Sequence, residues 1–307
     1  MGLDAGKWAR GAAGIAAAGL ILAAGLAGCG RQTPAGAVGE AEGPPAVKEA
    51  QGADTATAAG PGTSADPRWQ QTFAEATRAE PPEDWPRPPD TTAAGKSTGR
   101  LYTDVVRLWP EVRFVSAAGR PVEYTAVLET DQGTVEIALR HDWAPNHVRN
   151  FVALARAGYY DGLVFERIIH QESDVEKGAQ LDLIEGGSPL GAEDPDYDGI
   201  GYWLKAEADA KVRHEEGTVG AARGEDMDTA ACKFYIITSP PPETLNGSYT
   251  AFGKVTRGLD VARKIHGQPY VVEDEDGGYH RPEKPVVIRK VTIEARERDG
   301  AVASVGK

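Results

Sequence analysis

The stretch from Val122 to Leu139 leaves the chain little choice of local structure. Val122 to Thr130 alternates apolar and polar positions and carries Tyr124, Val127 and Leu128. Asp131-Gln132-Gly133 is a turn signal, and Thr134 to Leu139 alternates again with Val135, Ile137 and Leu139 on one face. Period-two patterning around a short glycine turn makes a β-hairpin. Ala144 to Ala157 then reads as a helix, with Pro145 in its first turn, Gly158 past its end, and Val148, Phe151, Val152 and Ala155 as its apolar stripe. Short strands are expected at 164–169, 218–222, 233–238, 251–255 and 286–295, with a second helix at 259–266. Many short strands with two helices point to a mostly β domain, a closed antiparallel barrel capped at its ends.

The N-terminus reads as a targeting segment, 1–28. Lys7 and Arg10 form a positive n-region, and Gly11 to Ala27 is an uncharged run of Gly, Ala, Leu and Ile, shorter than the ~20 residues of a spanning helix. Leu26-Ala27-Gly28-Cys29 resembles a bacterial lipobox, which implies lipidation of Cys29 and a mature chain held on the extracytoplasmic, periplasmic side of a membrane. Residues 29–100 read as a flexible tether, because Gly30 to Gly62 has no aromatic residue to offset the entropy of ordering. Trp69, Phe73 and Ala76 recur at helical spacing, so one short helix is expected near 67–79, either docked on the domain or standing in the linker. Residues 101–120 read as a lead-in, 121–296 as the folded domain and 297–307 as a disordered tail.

Charge and cysteine usage exclude several functions. Lys plus Arg number 33 against 46 Asp plus Glu, a net charge of −13, and no basic run reverses this locally, so nucleic acid is no partner. With two cysteines, Cys29 and Cys232, there is no disulfide framework and no cysteine zinc site. The six histidines lack metal-ligand spacing, so no metal and no cofactor is expected. Ala94-Gly95-Lys96-Ser97 imitates the end of a phosphate-binding loop, but Asp90 stands where the motif needs glycine. Cys232 reads as a small buried residue or, beside Lys233, as a reactive thiol.

A run of short motifs carries a family resemblance. Gly133-Thr134-Val135, Ala144-Pro145-Asn146, Asn150-Phe151, Tyr160-Asp161-Gly162-Leu163 and Phe165-x-Arg167-Ile168-Ile169 come first. Gly186-Gly187, Gly217-Thr218-Val219, Ala222-Arg223, Phe234-Tyr235-Ile236, Leu245-Asn246-Gly247 and Ala251-Phe252-Gly253-Lys254-Val255 follow in order. In this order over Tyr124 to Glu294 the chain resembles the cyclophilin-type peptidyl-prolyl cis-trans isomerases. The resemblance implies an eight-stranded cyclophilin-like barrel and rotation of X–Pro bonds in proline-containing polypeptides, here those of exported proteins, by a monomer without cofactor. Arg167 matches the catalytic arginine. Tyr235 matches the aromatic floor of the proline slot, Leu245 and Leu183 its apolar walls, and Tyr249 a position often held by histidine. Ala222 and Arg223 match a stretch whose backbone binds extended substrate.

The pattern is broken beside the arginine. Residues 170–181 stand where the family has two, an insertion of about ten. Asp182 replaces a slot phenylalanine, Glu185 and Lys233 replace two glutamines, and Thr244 replaces an aromatic residue. A carboxylate beside Arg167 competes with substrate, so weakened turnover or altered substrate choice is expected. The paired changes suggest that Lys233 holds Glu185 and leaves Arg167 free. Two other functions stay open: a proline-peptide-binding or assembly module without turnover, and a lipoprotein whose functional contact is made by residues 66–120.

Overall fold

The structure is a computed structural model, and it describes residues 66–81, 87–173, 176–272 and 279–298. The expected targeting segment, Cys29, the tether up to residue 65 and the tail from residue 299 lie outside the described residues. Among those described, no helix is long and apolar enough to cross a membrane.

The hairpin forms as patterned. Strands β2 (Val122–Thr130) and β3 (Gly133–Leu139) pair antiparallel from Tyr124 opposite Leu139 to Thr130 opposite Gly133. Gly133 takes φ +136°, a conformation open to glycine, and Thr130 Oγ1 donates to its carbonyl at 2.7 Å. Further along run α3 (Pro145–Arg156), β4 (Val164–Glu172), β5 (Gln180–Gly186), β6 (Trp203–Leu204), β7 (Thr218–Ala221) and β8 (Phe234–Ile237). The chain ends with β9 (Ala251–Arg257), α4 (Leu259–His266), β10 (Tyr270–Val272), β11 (Tyr279–Pro282) and β12 (Val286–Glu297). The ladder runs β4–β12–β2–β3–β9–β7–β8–β5 and back to β4, all antiparallel. This is the expected closed eight-stranded barrel, and closure removes its edges. The β10–β11 hairpin joins outside the ring, along β4.

The expected tether is wrong over the described residues of this stretch, 66–81 and 87–100. A 3-10 turn at 67–70 leads into α1 (Phe73–Ala76), which is started afresh by Thr72 and Glu75 in a capping box, so the expected continuous helix is two pieces. Strand β1 (Thr77–Arg78) then pairs with β6. Helix α2 (Thr98–Leu108), capped by Ser97, runs through the boundary expected at residue 100. Leu101, Val105 and Leu108 form its buried face, a spacing hidden by a polar neighbourhood. The phosphate-loop mimic is a tie: Lys96 Nζ donates to the carbonyls of Gly158 and Asp161.

This segment covers α3. Its expected single stripe is correct but incomplete, since residues 145–155 are all buried. Arg149 projects from α3 to the carbonyls of Trp69, Gln71 and Val112, and its guanidinium lies over the Trp109 and Phe114 rings. Phe73 meets Trp109, Tyr102 and Tyr202 edge-on. Of the two expected positions for the short helix, docking on the domain is the one observed.

Candidate active site

Strand alternation sorts β4, β5 and β8 into two faces. Ile168, Ile184 and Ile236 stand opposite one another and enter the barrel core. The other face carries two rows. In the first, Arg167 is opposite Glu185, Glu185 opposite Tyr235, and Tyr235 opposite Gly220. In the second, Ile169, Leu183 and Ile237 are in register. Period two fixes this: one slip would send the arginine into the core.

The second row belongs to an apolar cluster separate from the barrel core: Ile169, Leu181, Leu183, Ala222, Tyr235, Ile237, Leu245 and Tyr249. Five of these were expected among the substrate-binding residues from sequence: Leu183, Tyr235, Leu245 and Tyr249 around the slot, and Ala222 in the stretch whose backbone binds substrate. Ile169, Leu181 and Ile237 were not singled out. Gly220 is the second miss. A Cβ there would lie 2.2 Å from the Tyr235 hydroxyl, so only glycine lets the ring lie flat across β7. A glycine inside a strand was the available signal. His214 is the third, fixing the ring's far end by a 2.8 Å hydrogen bond between its Nε2 and Tyr235 Oη. Burial pushes the His214 imidazole down to about 4, so it stays neutral at physiological pH.

Arg223 does not reach the slot with its side chain. Its guanidinium donates to the carbonyls of Ser248, Gly224 and Glu225 and stacks over Tyr249 at 4.3 Å, buttressing that ring. Asp182 does not line the slot either. Alternation turns it away from Leu183, toward His170, Ser239 and His266. Cys232 is buried, and its thiol is pushed up by that burial, which excludes the reactive reading.

The guanidinium of Arg167 is nearly buried and doubly held. Nη2 donates to Asp196 Oδ1 at 2.6 Å, and Nη1 approaches Glu185 Oε2 at 3.5 Å. Lys233 Nζ stands 3.2 Å from the same Glu185 oxygen and also donates to the Pro195 carbonyl. The expected Lys233–Glu185 pair is therefore present, but it does not leave Arg167 free. Asp196 is the partner that sequence reading missed, on a loop far along the chain with no motif of its own. That loop is built in: Asp198 accepts the backbone N–H groups of Ala231, Cys232 and Lys233 at 2.7–3.1 Å. Burial raises the Asp198 carboxyl to about 6 and that of Glu166, behind Arg167, to about 7. Lys233 works against both shifts.

The insertion also reaches this apolar cluster. Residues 170–172 and 180–182 extend the β4–β5 hairpin, from His170 opposite Asp182 to Glu172 opposite Gln180. Leu181 joins the apolar cluster, and Glu176 accepts the Thr244 backbone N–H at 3.0 Å. Thr244 neighbours Leu245 of the cluster, so the insertion ties one side of the cluster to the other. The site thus offers a guanidinium on the same face as an apolar cluster that contains two tyrosine rings. It holds no aligned nucleophile–base pair among the described residues.

The sequence model described as cyclophilin type peptidyl-prolyl cis-trans isomerase/CLD matches residues 125–293. A probable peptidyl-prolyl cis-trans isomerase of Brucella suis is 35% identical over 184 residues, covering 59% of this chain and 87% of the relative. Peptidyl-prolyl cis-trans isomerase A of Dickeya dadantii is 30% identical over 199 residues, covering 63% of this chain and 97% of the relative. A solved Cryptosporidium parvum cyclophilin type peptidyl-prolyl cis-trans isomerase is similar at 24% identity and a TM-score of 0.46, over 56% of this chain and 98% of its own.

Proposed function

The chain belongs to the cyclophilin-type peptidyl-prolyl cis-trans isomerase family, and from that premise we propose that it turns X–Pro bonds of exported proteins at a bacterial membrane surface, with restrained turnover. The family supports the isomerase activity itself. Isomerisation breaks amide resonance against a barrier of ~18–20 kcal/mol and requires no nucleophile, metal or cofactor. It requires a slot for the proline ring and a group that binds the twisted amide better than the planar one. The Leu183, Tyr235, Leu245 and Tyr249 cluster supplies the slot. Arg167 is the catalytic residue: its planar fork donates to the prolyl carbonyl and toward the amide nitrogen as that nitrogen becomes pyramidal. The observation that carries the reading is the single row Arg167–Glu185–Tyr235, which sets the arginine on the same face of the barrel as the aromatic floor, with one strand between them.

Restraint follows from what surrounds that row. Asp196 occupies Nη2, one of the donors that the twisted amide needs, and the Glu176–Thr244 contact draws the slot walls together. The same two contacts favour the second reading, a proline-peptide-binding module without turnover. A protease-coupled prolyl peptide assay on wild type and Arg167→Ala separates the two. Acceleration that disappears in Arg167→Ala supports the enzyme, and the absence of any Arg167-dependent acceleration removes it.

Membrane attachment rests on Leu26-Ala27-Gly28-Cys29 after the apolar run, with exported polypeptides as the substrates available there. Labelled palmitate should enter the wild-type chain and fail to enter Cys29→Ser; equal labelling of both would remove the anchor.

A further inference from the structure

We propose that His170, Asp182 and His266 form a binding site for a divalent first-row transition metal, with Zn2+ as the ion that tests it. The three residues come from β4, β5 and the last turn of α4, and one ligand atom of each lies within 4.8 Å of the other two. Asp182 Oδ1 is the vertex, 2.6 Å from His170 Nδ1 and 3.7 Å from His266 Nε2. Ligands at ~2.0–2.1 Å from a tetrahedral zinc stand about 3.3 Å apart, so side-chain rotations bring all three into range.

The surroundings orient the set. Asp182 Oδ2 accepts from Ser239 Oγ at 2.8 Å, which turns Oδ1 toward the two imidazoles. Gln180 Nε2 stands alongside the His170 ring, 2.9 Å from Nε2 and 3.3 Å from Nδ1, and would move off Nδ1 as an ion binds. His266 Nε2 now faces the Ile169 carbonyl at 3.0 Å and would exchange that contact for the metal. His170 is largely exposed, so an ion can reach the site from solvent. Two imidazoles and one carboxylate suit zinc, nickel or cobalt, whereas calcium and magnesium want oxygen alone. A bound ion would pin the base of the insertion hairpin to α4. The neighbouring Ile169–Leu183 pair lies in the apolar cluster, so the pin would stiffen one wall of the slot.

The test is calorimetric titration of the full, chelator-stripped chain with ZnCl2, for wild type, His170→Gln, His266→Gln and the double variant. Melting in EDTA verifies that all four fold alike. Wild type should bind one equivalent; each single variant should weaken binding at least about tenfold, and the double should abolish it. No saturable one-to-one binding by wild type, or unchanged binding by the double variant, overturns the site. Should a variant melt differently, wild type alone decides. Zn2+ must protect His170 and His266 from diethyl pyrocarbonate, read by mass spectrometry, and full modification of both in its presence overturns the proposal.

Discussion

Asp196→Asn should make this protein a faster isomerase. The carboxylate stands 2.6 Å from Arg167 Nη2, so a substrate carbonyl must displace it before the guanidinium can serve the twisted amide. Arg167 is 7% exposed and Asp196 is 40% exposed. The pair is therefore neither a screened surface contact, worth ~0.2–1 kcal/mol, nor a fully desolvated charged hydrogen bond, worth ~1.5–3 kcal/mol. A value of about 1–2 kcal/mol lies between them, and relieving it raises kcat/KM about 5- to 30-fold. Asparagine keeps the side chain's shape and removes its charge, so the loop held by Asp198 should stay in place. The assay is protease-coupled turnover of a prolyl peptide at low and high salt. Salt screens a half-exposed pair, so wild-type activity should climb with ionic strength and Asp196→Asn activity should not. An unchanged or lower kcat/KM in Asp196→Asn, with Arg167→Ala inactive, would refute competition; Asp196 would then be a positioning residue that holds the guanidinium for use.

Three further outcomes are expected. Glu166 titrates at about 7 in the fold against an ordinary 4.5, so the folded state binds the proton more tightly. Its contribution is full below pH 4.5, is lost as pH rises to about 7, and amounts to roughly 3 kcal/mol. Glu166→Gln should flatten most of that decline in urea unfolding at pH 5 and pH 8, with Asp198 leaving a smaller residue in the same direction; equal slopes in both proteins would count against it. For the charged pair, Glu185→Gln removes the carboxylate partner of a buried ammonium at a cost of about 3–5 kcal/mol, and Lys233→Gln, which leaves Glu185 to Arg167, costs less. The Gln–Gln double variant should recover most of the loss, and simple additivity in denaturant titrations would contradict the coupling. Trp109→Ala removes a side chain only 2% exposed whose Nε1 donates to the Gln71 carbonyl. It should lower the stability of the whole domain by about 3–5 kcal/mol in one cooperative transition, whereas loss of an early, separate transition would show residues 66–120 to be an appendage.

What was legible in the sequence and what was not divides along contact range. The β2–β3 hairpin, α3 and α4 are local, and their periods and turn residues sufficed. The ring of strands followed from ordered motifs, and the same motifs named Leu183, Tyr235, Leu245 and Tyr249, which the structure gathers into one apolar cluster. Helix α2 was lost because its buried face of Leu101, Val105 and Leu108 is diluted by polar residues that point to solvent. Asp196 was invisible for a different reason. It meets Arg167 only because the loop that carries it is fastened by Asp198 to the start of β8, and no local pattern records that fastening. Asp182 misled because an insertion had moved it along β5: alignment by order placed it in the slot, whereas alternation turns it the other way.

These misses share a direction. The row itself matches the resemblance, with Arg167 and Tyr235 on one face and Gly220 beneath the ring. Each departure bears instead on access to that row. The insertion reaches across to Thr244, the 195–198 loop places Asp196 on the guanidinium and the Pro195 carbonyl on Lys233, and the neutral glutamines have become an ion pair. Catalysis by differential binding depends on a small number of donors held at a fixed place, so moving them is costly, whereas covering them is not. A barrel whose strands are fixed by closure can lengthen a hairpin or refasten a loop without disturbing register. On this reasoning the substrate that the proline slot admits is set by loops 170–182 and 195–198, and exchange of those loops, more than any change in the Arg167 row, is what should alter the peptide preference.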